Sequence, residues 1–478
     1  MCKSKKILYF TLSFIIGIAF QELIAMPFFI LYTLFIFSSV FLYFFWSSQK
    51  IRFILIVLTF FILGAVRMEV EEIVYTNNLS ITKEERFIGT AKSNTETYDN
   101  YKNIFVIEEK SKKKFLLRVN LFSEFFYGDK IEFTCLPQDI LDKGSYSRYL
   151  KKEKISYLCY YPEVKLISES KSIYKKLFQL REGGKKIIDD QVFYPQSGVL
   201  SAMILGYKKD IPLDLRENFS KIGVSHIVAI SGMHLVIVSV ILYWLLIMLG
   251  FWRQQAFYLI VFLLWLYIIM IGLPASAVRA GIMISVVLWG RHIGRINNLN
   301  TTLFLVAGFI LFFNPFFLLG DIGFQLSFLA VLGIIHLTPI FLSFFKKVKT
   351  FDKIKDILAV TFAAQIFTFP LAVFYFGFIP VLSLPVNLIF IPLLPIIFVL
   401  GALIILSGLF FPILSEILGI ITGSILSFLV SLAEIFVELP FSFFYIEKIN
   451  FLWIVGFYLF LFLFIYKIKK NNAYNELI

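Results

Sequence analysis

The sequence predicts an α-helical polytopic membrane protein of about twelve spans, with one small β-barrel domain inserted after the third span. Three observations carry this fold class. Of 478 residues, 59% are hydrophobic and only 16% charged, and the mean hydropathy is +0.83. A water-facing surface needs far more charge, so the surplus apolar area faces lipid. Phe alone contributes 58 residues, many inside unbroken apolar runs, and in hydrocarbon such a run satisfies its own backbone only as a helix. From Arg67 to about Pro195 the composition turns to Lys, Glu, Asp, Asn, Tyr and Ser, with no run long enough to cross a bilayer.

The first block, residues 1–66, holds the apolar runs Ile7–Phe20, Phe28–Trp46 and Phe53–Val66. The first is short for a span. Its basic start, Met1–Lys6, has the form of a signal peptide, but no small-residue cleavage site follows, so it reads as a retained helix. Lys3, Lys5 and Lys6 precede the first run, and Lys50 and Arg52 part the second from the third. The excess of Lys and Arg in cytoplasmic loops puts both connections inside the cell, and three spans then place residues 67–195 outside it.

Residues 67–170 carry strand-like pieces at Arg86–Ala91, Ile104–Glu108, Lys114–Val119, Lys130–Cys135 and Ser156–Tyr160, parted by polar turns such as Tyr127-Gly128-Asp129. A small β-barrel is the economical arrangement. Residues 171–225 form a connector. Within it Ile173–Phe193 spaces Leu177, Leu180, Ile187 and Ile188 among charges, an amphipathic helix suited to a membrane surface and expected to break at Gly183-Gly184.

The second block, residues 226–478, contains about nine apolar segments. Basic residues occupy every second connection: Arg253; Arg291 and Arg295; Lys346, Lys347, Lys349, Lys353 and Lys355; Lys467, Lys469 and Lys470. The connections near Pro274, Asn314–Asp321, Gly377–Pro380 and Glu438–Glu447 hold few or none, an alternation that again places residues 67–195 outside. The same rule accounts for basic residues without nucleic acid, so the net charge of +13 does not by itself imply a polyanion. Pro380–Leu409 is long and contains Pro385, Pro392 and Pro395, which admits a broken or re-entrant helix.

Polar side chains inside lipid are costly, so their address is the bundle interior or an aqueous path. In His226–Leu235 (HIVAISGMHL) helical spacing puts Ser231 and His234 on one face and His226 well round the axis. In the span opened by Ala275–Ala280 (ASAVRA), Ala277, Gly281 and Ser285 form a small-residue stripe for close packing, while Arg279 points away from it and needs a partner or water. In GDIGFQLSFLA (Gly320–Ala330) Asp321 is placed as a helix N-cap, with Gln325 one turn on and Ser327 beyond. Thr361, Gln365 and Thr368 make a polar stripe ending near the kink-forming Pro370. Interhelical hydrogen bonding is the alternative role for each of these residues.

On these residues the chain resembles the ComEC family of bacterial DNA-uptake channels. LSAMILGYKKDIPLDLRENFSKIGVSHIVAISGMHL (Leu200–Leu235) is similar to that family's signature. GLPASAVRA with Met283, NPFFLLGDIGFQLSFLAVLG (Asn314–Gly333), and Gln365, Pro370, Phe376, Gly377, Ser383 and Asn387 resemble its later blocks in the same order. The first spans with YGDKIEF and GSYSRYL resemble, more loosely, its amino-terminal OB-like domain.

The resemblance implies a multi-pass channel in the bacterial cytoplasmic membrane that passes one strand of DNA inward. It implies no cofactor, and as partners single-stranded DNA, the lipid membrane and other competence proteins, among them a separate ATP-driven motor and a separate nuclease. Candidate channel residues are His226, Ser231, His234, Arg279, Asp321, Gln325, Ser327, Thr361, Gln365, Thr368 and Asn387. OB-like domains hold single strands on basic grooves with stacked aromatics, and the best such patch is Lys110, Lys112, Lys113 and Lys114 with Tyr101, Phe105 and Phe115. A solvated lysine loop is the alternative there.

Many family members continue into a metallo-β-lactamase-like domain. This chain stops at Ile478 with four His and no HxHxDH-type cluster, and it lacks HExxH, GxSxG and a P-loop, so neither nuclease nor ATPase activity is expected. Two rival readings stay open. One is a transport or assembly subunit of the same fold with a different cargo. The other is an intramembrane hydrolase built on Ser231 and His234, for which Asp321 is the one obvious carboxylate. Cys135 and Cys159 share the polar domain as either a disulfide or two buried thiols, while Cys2 faces the cytoplasm.

Overall fold

The computed structural model describes residues 3–77, 85–92, 96–97, 101–123, 125–139, 145–170, 172–294, 298–345, 352–446 and 450–475. Gly144, Arg295, Lys346, Lys347, Lys349 and Glu447 lie outside these residues. In chain order the elements are α1 (Lys3–Ile24), α2 (Phe28–Phe44) and α3 (Gln49–Asn77), then β1 (Glu85–Ala91), β2 (Glu96–Thr97), β3 (Lys102–Glu108), β4 (Lys114–Val119), β5 (Lys130–Cys135) and β6 (Gln138–Asp139). α4 (Ser145–Lys152), β7 (Tyr157–Tyr160) and β8 (Glu163–Ser168) complete the polar domain, and α5 (Ile173–Gln191), α6 (Gln196–Leu205), a 3-10 turn (Lys208–Asp210) and α7 (Leu213–Lys221) follow. The second block holds α8 (Ser225–Val228), α9 (Gly232–Met248), α10 (Arg253–Met270), α11 (Ala275–His292), α12 (Leu299–Phe313), α13 (Phe317–Gly320) and α14 (Ile322–Phe345). It ends with α15 (Asp352–Phe376), β9 (Phe378–Pro380), α16 (Ser383–Gly408), α17 (Pro412–Glu438), β10 (Phe443–Tyr445) and α18 (Phe451–Asn475).

Among the described residues eight helices, α1, α3, α10, α14, α15, α16, α17 and α18, are long and apolar enough to cross a membrane, against the dozen expected from counting apolar runs. Three of the difference are short helices, and the fourth, α11, has 18 residues but carries Arg279, Arg291 and His292. α2 and α9 have 17 residues and α12 has 15, so at about 1.5 Å per residue they fall short of a roughly 30 Å hydrocarbon core. The chain divides into two compact units. Unit 1 comprises Met1–Leu180, Leu266–Leu273 and Ile282–Gln325, and unit 2 comprises Arg181–Trp265, Pro274–Gly281 and Leu326–Ile478.

In unit 1, α1 and α3 pack backbone to backbone. A Cβ at Gly17 would lie 1.9 Å from the Phe61 carbonyl oxygen, and one at Gly64 would lie 2.1 Å from that of Phe14. These reciprocal notches bring the helices close enough for dispersion along their length, the force that holds helices together where lipid removes the hydrophobic drive.

The polar domain is an eight-stranded sheet in the order β6-β7-β4-β3-β1-β5-β8, with β2 off the path on β3. β4 and β7 run parallel; the other pairs are antiparallel. Among the described residues no pairing joins β6 to β8, so the expected barrel is a curled open sheet. Its core is a ring cluster: Phe87, Phe133 and Tyr157 surround Phe115 at centroid distances of 4.9, 5.4 and 5.0 Å. Cys135 on β5 and Cys159 on β7 join as a disulfide with Cα atoms 6.0 Å apart. On the other face Leu116 and Leu158 pack with Leu150 of α4 and Ile155.

The break expected in α5 is absent, and so is the one admitted for Pro380–Leu409. α5 runs unbroken through Gly183-Gly184. Its second half is pinned from outside: a Cβ at Gly408 would meet Ile187 Cγ2 at 2.4 Å, and one at Gly419 would meet the Gln191 carbonyl oxygen at 2.4 Å. Tertiary contact outweighs the cost of two glycines. α16 is likewise one helix through Pro392 and Pro395, with Val386, Phe390, Leu394 and Ile397 buried along it. Neighbouring elements can compensate the backbone groups that proline frees in a membrane helix.

These contacts give opposite expectations for two glycines. Gly64→Leu puts a side chain where the Phe14 backbone lies and should destabilise the protein by about 3 kcal/mol or prevent its accumulation. Gly183 has no atom within 4 Å of a built Cβ, so Gly183→Ala should stabilise by about 1 kcal/mol. Thermal unfolding of the detergent-solubilised protein, with its level in membranes, checks both; a destabilising Gly183→Ala would contradict the continuity of α5.

Candidate functional site

In unit 2 the segment Gly223–His234 lies at a junction of polar contacts. Its geometry corrects the helical-face reading of Ser231 and His234. α8 ends at Val228, the chain extends through Ala229 and Ser231, and α9 begins at Gly232 with Ser231 as its N-cap. The Ser231 backbone N–H donates to His234 Nδ1 at 2.9 Å, and Ser231 Oγ lies 3.1 Å from the same nitrogen. His234 is fully buried, with its ring against Phe398 of α16 at 5.0 Å. This is a capping box in which imidazole takes the place usual for Glu or Gln.

Helices α11 and α16 hold the same segment, and α15 bonds to α16 beside it. Ser276 Oγ, at the start of α11, donates to the Ile230 carbonyl at 2.6 Å. Gly223 adopts φ +79°, and a Cβ there would strike Ser383 Cβ at 2.6 Å; only glycine meets both the left-handed backbone and the close approach. Gln365 Nε2 of α15 donates to Ser383 Oγ at 3.0 Å. The His226 ring bonds to the Gly223 backbone. Asn387, one turn beyond Ser383, is 2% exposed, and its Oδ1 has no hydrogen-bond partner among the described residues.

The other candidates divide between the interior and their own helices. Arg279 on α11 is 5% exposed. Thr361 is buried, and Thr368 spends its hydroxyl on the Ala364 and Gln365 carbonyls at 3.0 and 3.3 Å. Within unit 1 Asp321 is the expected N-cap, its Oδ1 accepting the Phe324 N–H at 3.1 Å, and Gln325 Nε2 donates to the Leu318 carbonyl at 2.8 Å. Ser327, on α14, is half-buried.

Sequence reading missed two cations just before the junction, Lys208 and Arg216. Among the described residues neither forms an ion pair; of the acids of this stretch Asp210 pairs with Lys185 at 2.8 Å and Glu217 with Lys221 at 2.9 Å, and Asp214 lies between the two cations in sequence. Lys208 is open to solvent on one side and crowded by protein on the other; burial, and then the Arg216 guanidinium, push its ammonium below the usual range. Like charges held close without a counter-charge favour an anion. A cavity of about 810 Å³ beside α5, α6 and α17 has the opposite character, lined by Asp189, Asp190, Asp210 and Glu416 with Lys185. Among the described residues no three His, Cys, Asp or Glu side chains gather to hold a metal ion.

On the sheet the expected patch is rearranged. Phe115 is fully buried in the ring core and has no face to offer a base. Lys114 donates to the Glu153 carbonyl at 2.9 Å and lies over Phe105 at 4.9 Å, and burial pushes its ammonium down. Lys113 reaches Tyr157 Oη at 3.3 Å. Lys110 and Lys112 are exposed in the β3–β4 turn. The aromatic and cationic face is instead Arg118, whose guanidinium lies 4.8 Å from the Tyr101 ring and 4.9 Å from that of Tyr160, its register partner on β7. The period-2 alternation of β4, which puts Arg118 on the face of Lys114 and opposite Phe115, is the signal that could have found it.

Comparison with known proteins adds a lineage. ComE operon protein 3 of Bacillus subtilis (strain 168) is 28% identical over 247 residues, 52% of this chain and 31% of that protein. The match therefore spans less than a third of that relative. No solved structure gives a significant match. The profile of the family described as Competence protein matches residues 203–471, more than half of the chain, from α6 into α18 and across the whole polar junction; the chain belongs to the competence protein family.

Proposed function

We propose that this protein forms the membrane path by which one strand of DNA enters the cytoplasm during natural transformation. The observation that carries the reading is that the segment matched to the family holds its polar side chains inside the bundle. His234, Arg279, Ser383 and Asn387 are all under 6% exposed on helices whose outer faces are apolar. A polyanion crossing lipid needs donors and positive charge along its way. Lys208 and Arg216 supply unpaired charge beside this junction, while the acidic cavity at Asp189 and Glu416 repels phosphate and lies off the path. The chain resides in the cytoplasmic membrane with residues 67–195 outside, where the sheet meets incoming DNA through Tyr101, Arg118 and Tyr160. A strand-removing nuclease, an ATP-driven motor and other competence proteins act with it.

Two other readings are weaker. A different cargo on the same fold would leave the basic and aromatic sheet face without a purpose. A hydrolase needs Ser231 activated by His234 and oriented by a carboxylate. Here Nδ1 already accepts the Ser231 N–H, and Asp321, the carboxylate the sequence offered, caps α14 and meets Lys152.

Reporter fusions test the layout: a fusion after about residue 120 should read extracytoplasmic, and fusions after Arg295, Lys353 or Lys470 cytoplasmic. A cytoplasmic signal at residue 120 would invert the scheme. On the purified protein, single-stranded DNA should bind with an affinity that falls as salt rises. Tyr160→Ala should cost about 1–3 kcal/mol, and Arg118→Ala should flatten the log–log salt slope by about one. Lys114→Ala should change little, because that ammonium is committed to Glu153; unchanged binding in the Arg118 and Tyr160 variants would remove the sheet from the path. Arg279→Ala should leave the protein in the membrane yet depress uptake of labelled DNA strongly, with Lys restoring part of it because phosphate attraction needs charge more than geometry. Normal uptake at unchanged protein level would make Arg279 a packing residue.

A further inference from the structure

Lys151-Lys152-Glu153-Lys154 closes α4 and leads into β7, and each of its lysines engages a different acid of unit 1. Lys151 Nζ reaches the two carboxylate oxygens of Glu72 on α3, at 2.7 and 2.5 Å, and lies 4.8 Å over the Phe316 ring. Lys152 Nζ is 3.5 Å from Asp321 Oδ2 and equally far from Oε1 of the adjacent Glu153, and its backbone carbonyl accepts from Asn314 Nδ2 at 2.8 Å. Lys154 pairs with Glu71 and donates to the Phe313 carbonyl at 3.2 Å. Arg67 adds donations to the Phe312 and Phe313 carbonyls at 2.7 and 3.1 Å and pairs with Glu71 at 2.6 Å. Phe312 and Phe313 end α12, where carbonyls lack intrahelical donors and the dipole favours cations. Tyr75 Oη donates to the Ile155 carbonyl at 3.0 Å, and its ring meets Phe316 edge-on at 5.9 Å.

We propose that Lys151–Lys154 is a latch by which the β domain grips the C-terminal end of α3 and the Asn314–Asp321 connection, with Lys152 a positioning residue that sets the first turn of α14 through Asp321. The side chains of this pair are only 14% and 9% exposed, so the contact is shielded from the screening that leaves surface ion pairs nearly worthless. Asp321 has two oxygens and two tasks: Oδ1 caps α14 and Oδ2 meets the latch. In this role Asp321 holds the helix start in place instead of lining a path. Resting on the proposed transport role, a strand that engages the sheet pulls on the same framework that carries the start of α14.

Hydrogen exchange on the full chain in detergent reads the latch directly. Lys152→Met removes the charge and keeps the stem, and Asp321→Asn removes the charge and keeps a capping oxygen. Each should speed amide exchange over residues 314–325 about tenfold. The double variant should exchange no faster than either single one, because both act through one contact, and Lys152→Arg should restore protection. Labelled-DNA uptake should fall in Lys152→Met and recover in Lys152→Arg at equal protein level, while single-stranded DNA binding stays at the wild-type value in both. Unchanged exchange in Lys152→Met, additive effects in the double variant, or normal uptake by a Lys152→Met protein with raised exchange would overturn the latch. Wild-type protein that fails to bind single strands would overturn the transport reading alone.

Discussion

Hydrocarbon offers no hydrogen bonds, so every polar group carried into the membrane block must be satisfied by the protein or face water. That constraint sets the detail of unit 2. The extended stretch between α8 and α9 leaves backbone groups outside any helix, and the side chains gathered there answer them: Ser276 takes the Ile230 carbonyl, and the His234 ring takes the Ser231 N–H. Gln365 and Ser383 satisfy one another across α15 and α16. Within hydrocarbon a non-helical backbone is tolerated only where protein or a wet cavity surrounds it. The break in helicity and the polar residues around it are one feature, because neither is stable without the other.

The class of fold was legible because it follows from composition and run length, which do not depend on how helices pack. The capping role of Asp321 was legible for a similar reason: an N-cap is local, and its signal lies within a few residues. What failed depended on contacts distant in sequence. Glycine pairs normally end a helix, yet α5 continues through Gly183-Gly184 because α16 and α17 bear on its later residues. Ser231 and His234 have helical spacing, but spacing carries no information on whether the helix has begun, and Ser231 precedes it. Lysine density in the β3–β4 region drew attention to Phe115, whereas strand alternation buries that ring and turns Arg118 to the opposite face, between Tyr101 and Tyr160.

Burial separates these residues by what they can do. Arg118 lies between two aromatic rings, whose faces attract a cation. Lys114 and Lys152, equally basic in the sequence, are each within reach of carboxylates and carbonyls of their own unit. A count of positive charge therefore overstates the surface available to a polyanion. The informative cations are those that form no ion pair among the described residues, such as Lys208 and Arg216, while Asp210 and Glu217 pair with Lys185 and Lys221.

The same logic explains why one family block carries residues of two kinds. In NPFFLLGDIGFQ, Asn314 and Asp321 bond to Lys152, Gln325 turns back onto the Leu318 carbonyl, and Phe316 stacks between Tyr75 and Lys151. Asn314 Nδ2 and Asp321 Oδ2 reach the polar domain while Asp321 Oδ1 and Gln325 bond within the block, and these bonds define the connection between α12 and α14. A connection built this way cannot be read as a channel lining on polarity alone. Its residues specify where a helix starts, and the position of that start, rather than the chemistry of the side chains, is what the block contributes.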